Sequence, residues 1–194
     1  MSLPLSLLWQ EDELIMLDQT RLPIEEVMLR PKTVEAVFEA IKMLRLRGAP
    51  AIGIAGAYGL VIAMQQQRDL TWPEFLLEAE RQADYLNSAR PTAVNLSWAL
   101  KRMIGKLNDQ HDSETAYQVL LEEAKLIHEE DRKLCRGIGE NGLSLIEEGM
   151  GILTHCNAGG LATSELGTAL APMYLAHEKG IRFRVYSDET RPLL

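Results

Sequence analysis

The pattern that most constrains the fold lies in the C-terminal part of the chain, where two short apolar runs flank a helix-forming segment. Ile152-Leu153-Thr154 predicts a strand, Ser164 to Glu178 a helix, and Phe183 to Tyr186 a second strand. One helix between two strands implies a parallel pair joined by a right-handed crossover. Because a parallel sheet usually has several strands and covered faces, we expect the start of a sheet that is cut short at Leu194.

The N-terminal part of the chain shows other periodicities. Leu7 to Leu17 predicts a hairpin, and Ile24 to Leu29 predicts a third strand of a small sheet. A first helix is expected to end near Arg47-Gly48. Helix starts are predicted from capping residues and from proline in a first turn, at Thr33, Pro50, Thr71, Thr92 and Ser113, with Arg90-Pro91 breaking the third helix.

Two helix faces carry further expectations. Glycines at three-residue spacing predict close helix packing that recovers roughly 1 kcal/mol lost per glycine, at Gly53, Gly56 and Gly59. In the last long helix, an apolar stripe from Leu120 to Leu134 is expected to be buried. The acidic face of the same helix is expected to be solvated, and it includes Glu122, Glu123, Glu129 and Glu130.

These patterns predict an α/β fold in two domains. Residues 1–148 would form a small antiparallel sheet plus a helical domain, and residues 149–194 the first βαβ unit of an incomplete Rossmann-like parallel-sheet domain.

Charge and composition exclude some function classes. The 28 acidic and 20 basic residues give a net charge of -8, which argues against a general surface for nucleic acid or anionic membrane, so any phosphate site must be local. Two cysteines and no secretory pattern indicate a cytoplasmic protein. The apolar run from Ala49 to Met64 is shorter than a bilayer span of about 20 residues.

A candidate catalytic thiol follows the first parallel strand. Cys156 precedes the turn Asn157-Ala158-Gly159-Gly160, and a helix N-terminus beyond that turn would lower the pKa of the thiol, making a base or a nucleophile. A lone cysteine is more often a small core residue, which is our interpretation of Cys135. We interpret His155 as structural, because neighbouring side chains on a strand point to opposite faces.

Two arginine turns predict a phosphate site. Arg47-Gly48-Ala49-Pro50 places a guanidinium and free N–H groups at a helix start, and Arg90-Pro91-Thr92 repeats the arrangement. A single arginine at such a place is usually a solvated charge, but both turns together with the glycine turn after Cys156 favour a phosphosugar pocket. The other histidines have no metal-ligand spacing, so no metal and no cofactor is predicted; they are His111, His128 and His177.

The same segments resemble the methylthioribose-1-phosphate isomerases of L-methionine salvage, and the similarity covers nearly the whole chain. The matching segments are Leu17–Pro23, Arg47–Gly53, Arg90–Leu96, Thr154–Gly159, Gly167–Ala169 and Asp188–Pro192.

The resemblance implies cofactor-free conversion of 5-methylthioribose 1-phosphate into 5-methylthioribulose 1-phosphate, with a small-molecule sugar phosphate as the partner and a homodimer as the assembly. It implies that Cys156 acts at C1 and C2 and that the remaining site residues bind substrate, namely Arg47, Gly48, Ala49, Arg90, Asn157, Ala158 and Gly159. The family's acid is an aspartate in a later segment that this sequence lacks. We therefore expect the 194-residue chain alone to be inactive.

Three alternatives remain open. The related ribose-1,5-bisphosphate and 5-deoxyribose-1-phosphate isomerases differ in the group accepted at C5. The regulatory subunits of the translation initiation exchange factor share the fold and act as protein-interaction modules. A third hypothesis is a remnant that serves as a dimer partner through its unpaired sheet edge or has no function.

Overall fold

The computed structural model describes residues 5–188. The strands are β1 (Leu7–Gln10), β2 (Glu13–Leu17), β3 (Met28–Leu29), β4 (Gly151–Thr154) and β5 (Arg184–Ser187). The helices are α1 (Val34–Lys42), α2 (Ala49–Met64), α3 (Trp72–Asn87), α4 (Val94–Gly105), α5 (Ser113–Gly142) and α6 (Ala171–Glu178). Single 3-10 turns lie at Leu143–Leu145 and Gly160–Ala162.

The predicted N-terminal sheet is present. Strands β1, β2 and β3 pair antiparallel in that order, with Leu7 opposite Met16. Glu11 and Asp12 make the hairpin turn with φ values of 52° and 59°, the left-handed pair that a tight two-residue hairpin turn uses. The third strand is confirmed but is shorter than predicted, since only Met28 and Leu29 pair with β2.

Helix α2 is the centre of the larger core. It is buried along almost its whole length and packs against α1, α3, α4 and α5. A Cβ atom added at Gly56 would lie 2.4 Å from Leu96 Cδ1, and one added at Gly59 would lie 2.9 Å from Val37 Cγ1. The prediction that these glycines allow close helix packing is therefore confirmed.

The helix starts are predicted well and one helix end is not. Thr33 caps α1 and accepts a hydrogen bond from Ala36 N at 3.3 Å. Glu74 accepts the backbone N–H of Thr71 at 3.1 Å at the start of α3. Helix α1 ends at Lys42 rather than near Arg47-Gly48, because Leu44 adopts a left-handed φ of 59°.

Two capping residues differ from the prediction. The N-cap of α4 is Ala93 and not Thr92, and no side chain caps this helix. The chain makes a turn in which Ala93 N donates to Arg90 O at 2.9 Å, so Thr92 lies before the helix. Helix α5 begins at Ser113 as predicted, but Asp112 is the cap and accepts from Thr115 N at 2.8 Å.

Two expectations about the faces of α5 are wrong. Glu123 is only 5% exposed, and its carboxylate forms ion pairs with Arg102 of α4 and with Lys106, the residue that follows this helix. Leu134 is 65% exposed, so the buried stripe does not extend to it. Ion pairs to Glu123 thus contribute to the contact between α4 and α5.

The C-terminal strands form the predicted parallel pair. Ile152 lies opposite Val185, and α6 connects β4 to β5. The predicted helix from Ser164 is wrong over its first part, because α6 begins only at Ala171. The fold class is therefore confirmed as α/β, with a small antiparallel sheet, a helical bundle and a parallel pair. Within residues 5–188 no helix is long and apolar enough to cross a membrane.

Candidate active site

Cys156 lies just beyond β4, at the carboxyl end of the strand. Its φ of 67° is in the left-handed region, which costs a non-glycine residue of order 1–3 kcal/mol. The residue is exposed and lines a cavity of about 440 Å³. We name this space the α2 cavity, and its walls are Arg47, Gly48, Ala49, Pro50, Cys156, Asn157, Ala162, Thr163 and Thr168. An accessible thiol in strained backbone is typical of a functional position.

The helix next in sequence does not provide the N–H groups expected beside the thiol. Only the 3-10 turn Gly160–Ala162 lies between Cys156 and the start of α6 at Ala171. The prediction that the glycine turn leads straight into a helix is therefore wrong. The reason is that amides of this segment donate to acceptors outside a helical ladder. Thr168 N, for example, donates to Ala158 O at 2.9 Å.

A different helix N-terminus faces the thiol. Gly48, Ala49 and Pro50 form the start of α2 and line the α2 cavity together with Cys156. The first N–H groups of a helix have no intrahelical acceptors, so they favour an anion. The α2 cavity therefore combines a thiol with a helix start whose N–H groups are suited to an anion, although the helix is not the one that the sequence suggested.

Gly48 makes this arrangement possible. Its φ is 101°, and a Cβ atom added there would lie 2.3 Å from Ala162 Cα. The backbone of the segment after Cys156 therefore approaches the start of α2 more closely than any side chain would allow.

Hydrogen bonds hold the segment after Cys156 against residues that flank the N-terminal sheet and against α5. Gln19 Nε2 donates to Leu161 O at 2.7 Å, and the Ser6 hydroxyl donates to Thr163 O. Ser164 N donates to the Asp131 carboxylate at 2.9 Å. These bonds connect parts of the chain that are far apart in sequence, so the site is a product of tertiary structure.

Arg47 is the cationic group of the cavity. Burial lowers the pKa of its guanidinium, and the nearby charge of Cys156 raises it in opposition. The second effect places the two side chains within electrostatic reach of each other. An arginine next to a helix start is a suitable receptor for a phosphate group.

Cys156 also lines a second cavity of about 560 Å³. We name it the loop cavity, because Gln19, Leu22 and Pro23 from the connection between β2 and β3 form one wall. Its other lining residues are Arg47, Thr154, Cys156, Asn157, Ala158, Gly159, Leu161, Leu170, Ser187 and Asp188. Ala158 and Gly159, predicted to bind substrate, thus line the loop cavity and not the α2 cavity.

Sequence reasoning missed several of these lining residues. Thr163 had no distinguishing pattern, whereas Thr168 lies in the segment Gly167–Ala169 that took part in the family resemblance. Gln19 and Leu22 did have a signal, because they lie in the segment Leu17–Pro23 that took part in the family resemblance. The motif Asp188–Pro192 lies outside the described residues except for Asp188.

Arg90 is the predicted site residue that the structure does not bring to the thiol. It lies in the turn between α3 and α4 and lines neither the α2 cavity nor the loop cavity. Its role in substrate binding stays a prediction.

His155 and Asp188 connect the ends of the parallel strands. The Nδ1 atom of His155 contacts the Asp188 carboxylate, and His155 is 80% exposed at its side chain. Because β4 and β5 pair in register, the residues that follow them lie side by side. Since β4 ends at Thr154, His155 and Cys156 both follow the strand, and the structural interpretation of His155 stays a prediction.

Cys135 is the other thiol, and its surroundings are those of a core residue. It is 1% exposed, and burial raises its pKa. Among residues 5–188, no group of three or more histidine, cysteine, aspartate or glutamate side chains could hold a metal ion.

Comparison with known proteins gives related sequences over nearly the whole chain. A profile of the initiation factor 2 subunit family matches residues 45–194. Proteins named 5-deoxyribose 1-phosphate isomerase from Petrotoga mobilis and Clostridium botulinum (strain Okra) are 51% and 52% identical to it. Each match covers 98% of this chain and 56% of the relative, so the chain spans about half the length of these curated relatives.

Solved structures are also similar to this chain over nearly its whole length. The crystal structure of 5-methylthioribose 1-phosphate isomerase from Pyrococcus horikoshii has a TM-score of 0.90 and 37% identity, over 98% of this chain and 54% of that one. The crystal structure of translation initiation factor eIF-2B, subunit delta, from A. fulgidus has a TM-score of 0.88 and 40% identity, over 98% and 56%.

Proposed function

The chain belongs to the initiation factor 2 subunit family, and we propose that its site serves a sugar-phosphate isomerase that converts an aldose 1-phosphate into a ketose 1-phosphate. The observation that carries this proposal is that Cys156, Arg47 and the first residues of α2 line one cavity. The relatives at 51–52% identity are named for 5-deoxyribose 1-phosphate, which is our first choice of substrate. The substrate of methionine salvage, 5-methylthioribose 1-phosphate, is the second.

Different residues of the α2 cavity bind the phosphate and the sugar of the substrate. The Arg47 guanidinium and the N–H groups of Gly48 and Ala49 hold the phosphate, because both favour an anion with several acceptor oxygens. Cys156 then lies beside C1 and C2 of the sugar, and Asn157 offers an amide to a hydroxyl.

The reaction is redox-neutral within the substrate. The bond from C1 to the ring oxygen breaks, a hydrogen passes from C2 to C1, and C2 becomes the carbonyl carbon. The hydroxyl on C2 releases one proton and the ring oxygen takes one up, so no external oxidant or reductant is needed. A thiol in its thiolate form is suited to exchange a proton at this end of the sugar.

One comparison favours a second candidate function. The structure titled translation initiation factor eIF-2B, subunit delta, is 40% identical to this chain, which is compatible with a protein-interaction module. The accessible thiol in strained backbone next to an anion site favours catalysis, since an interaction module has no need of it.

The test is an NMR assay of 5-deoxyribose 1-phosphate with the protein in the form that its cell makes. We expect Cys156→Ser to lower turnover by about 10²–10⁴-fold, because one acid–base group is lost, and to leave sugar-phosphate binding within about threefold. Cys135→Ala, at the buried thiol, is the matched control and should keep turnover within a few-fold. Unchanged turnover in Cys156→Ser would refute the role of the thiol. Binding of an initiation factor without affinity for a sugar phosphate would favour the interaction module.

A further inference from the structure

We propose that the loop cavity is the subsite for the C5 end of the sugar, and that Leu22 selects an apolar C5 group over a phosphorylated one. This inference rests on the proposed function, since it assigns the two ends of one substrate to two adjoining cavities.

The two cavities are continuous at the thiol. Arg47, Cys156 and Asn157 line both of them, whereas the start of α2 lines only the α2 cavity. A phosphate on C1 that lies against the start of α2 places C1 and C2 near Cys156. The rest of the pentose then needs adjoining space that the start of α2 does not line, and the loop cavity is such a space.

Apolar side chains line much of the loop cavity. Leu22 and Pro23 from the β2–β3 connection face this space together with Leu161 and Leu170. A methyl or thioether group gains free energy from such surroundings, at roughly 25 cal/mol per Å² of apolar surface buried. A 5-deoxy sugar has an apolar group of this kind at C5.

The charges of the loop cavity oppose a phosphate at C5. Arg47 is the only cationic side chain among the described lining residues, and it lies at the end shared with the α2 cavity. Asp188, at the end of β5, adds a carboxylate to the lining. A second phosphate would therefore lose water without gaining a cation of its own.

Gln19 gives the wall a polar group for the sugar itself. It is 8% exposed, and its amide nitrogen donates a hydrogen bond to Leu161 O at 2.7 Å. Its Oε1 atom is buried and accepts no hydrogen bond from residues 5–188. A buried acceptor without a donor is unfavourable, but this atom is closed off from solvent, so the Gln19 amide would have to turn before a ring hydroxyl could donate to it.

The experiment measures the affinities of 5-deoxyribose 1-phosphate and ribose 1,5-bisphosphate by isothermal titration calorimetry on this chain. Leu22→Arg supplies the cation that a C5 phosphate lacks. Ile24→Arg is the matched control, because Ile24 lies on the same connection, is 89% exposed and does not line the loop cavity. The control carries the same added charge, so it accounts for general attraction of the more negative ligand.

We expect the wild-type chain to prefer the 5-deoxy sugar, and Leu22→Arg to shift the ratio of the two affinities toward the bisphosphate by about fiftyfold. Ile24→Arg should change this ratio by less than about threefold. If the 5-deoxy sugar binds and both variants change the ratio equally, the subsite is refuted while the proposed function stands. If neither sugar phosphate binds the wild-type chain, both proposals fail.

Discussion

Gly48 is the residue on which the candidate site depends most directly. It begins the turn into α2, its φ is 101°, and Ala162 occupies the space where a side chain would be. Ala162 in turn belongs to the segment that follows the thiol. One hydrogen atom in place of a methyl group therefore lets the start of α2 approach Cys156.

Gly48→Ala is predicted to lower the free energy of unfolding by about 2–4 kcal/mol, because the methyl group overlaps backbone atoms and the φ is unfavourable for alanine. Gly137→Ala is the control, since Gly137 lies inside α5 with no atom within 4 Å of the added Cβ. The control should raise stability by up to about 1 kcal/mol. Urea unfolding of both variants measures the difference, and equal stability of the two would contradict the prediction.

The sequence predicts individual residues well where the cause is local. Thr33 caps α1 because its hydroxyl reaches an amide three residues later, and Pro50 starts α2 because its missing N–H is not needed there. Gln19 and Leu22 could not be placed beside Cys156 in the same way. Their position depends on how the β2–β3 connection packs against Leu161, which no local pattern encodes.

Helices α2 and α5 meet through a buried polar pair. The Tyr58 hydroxyl lies 3.2 Å from His128 Nδ1, and Trp9 stacks on Tyr58 at a centroid distance of 4.8 Å. Burial, with a smaller contribution from Arg132, lowers the pKa of His128 to about 4. His128 is therefore neutral in the folded protein at neutral pH.

This pair predicts a loss of stability in mild acid. Below a pH of about 6.5 the unfolded chain binds a proton at His128 that the folded protein does not bind until the pH reaches about 4. Stability contributed by this group is thus complete above that window and falls within it, by about 3 kcal/mol in total. Carboxylates titrate in the same pH range. The effect of His128 is therefore measured as the difference in unfolding free energy between the wild type and a variant without this histidine.

His128→Gln keeps an acceptor for Tyr58 and removes the titration. Urea unfolding between pH 4 and 7 should show a smaller decline for the variant than for the wild type. Parallel pH profiles for the two proteins would mean that His128 does not titrate as its burial implies.

Elements with strong periodicity were predictable, and those set by tertiary bonds were not. The amphipathic helix α1 and the hairpin β1–β2 follow from their own sequences. The segment from Ser164 to Leu170 has helix-forming residues, yet it remains irregular. Its amides bond to Asp131 and to Thr163 instead of to a helical ladder, so the competing contacts outweigh local propensity.

At the scale of the whole molecule, the site forms only where two parts of the chain meet. Cys156 follows the first strand of the parallel pair, whereas Arg47 and Gly48 immediately precede α2 of the helical bundle. One hydrogen bond across this junction runs from Ser164 N to the Asp131 carboxylate of α5, at 2.9 Å. The geometry of the thiol therefore depends on contacts that lie away from both cavities.

Asp131→Ala tests this dependence. Removing the carboxylate leaves Ser164 N without its acceptor, so amides of residues 160–168 should exchange hydrogen about tenfold faster or more, as expected for a lost bond to a charged group. Amides of α2 should be unchanged, because that helix keeps its own ladder. Glu129→Ala, at a half-exposed residue of the same helix, is the control and should leave residues 160–168 protected as in the wild type. Equal protection of this segment in Asp131→Ala and wild type would show that the junction does not need the Asp131 bond.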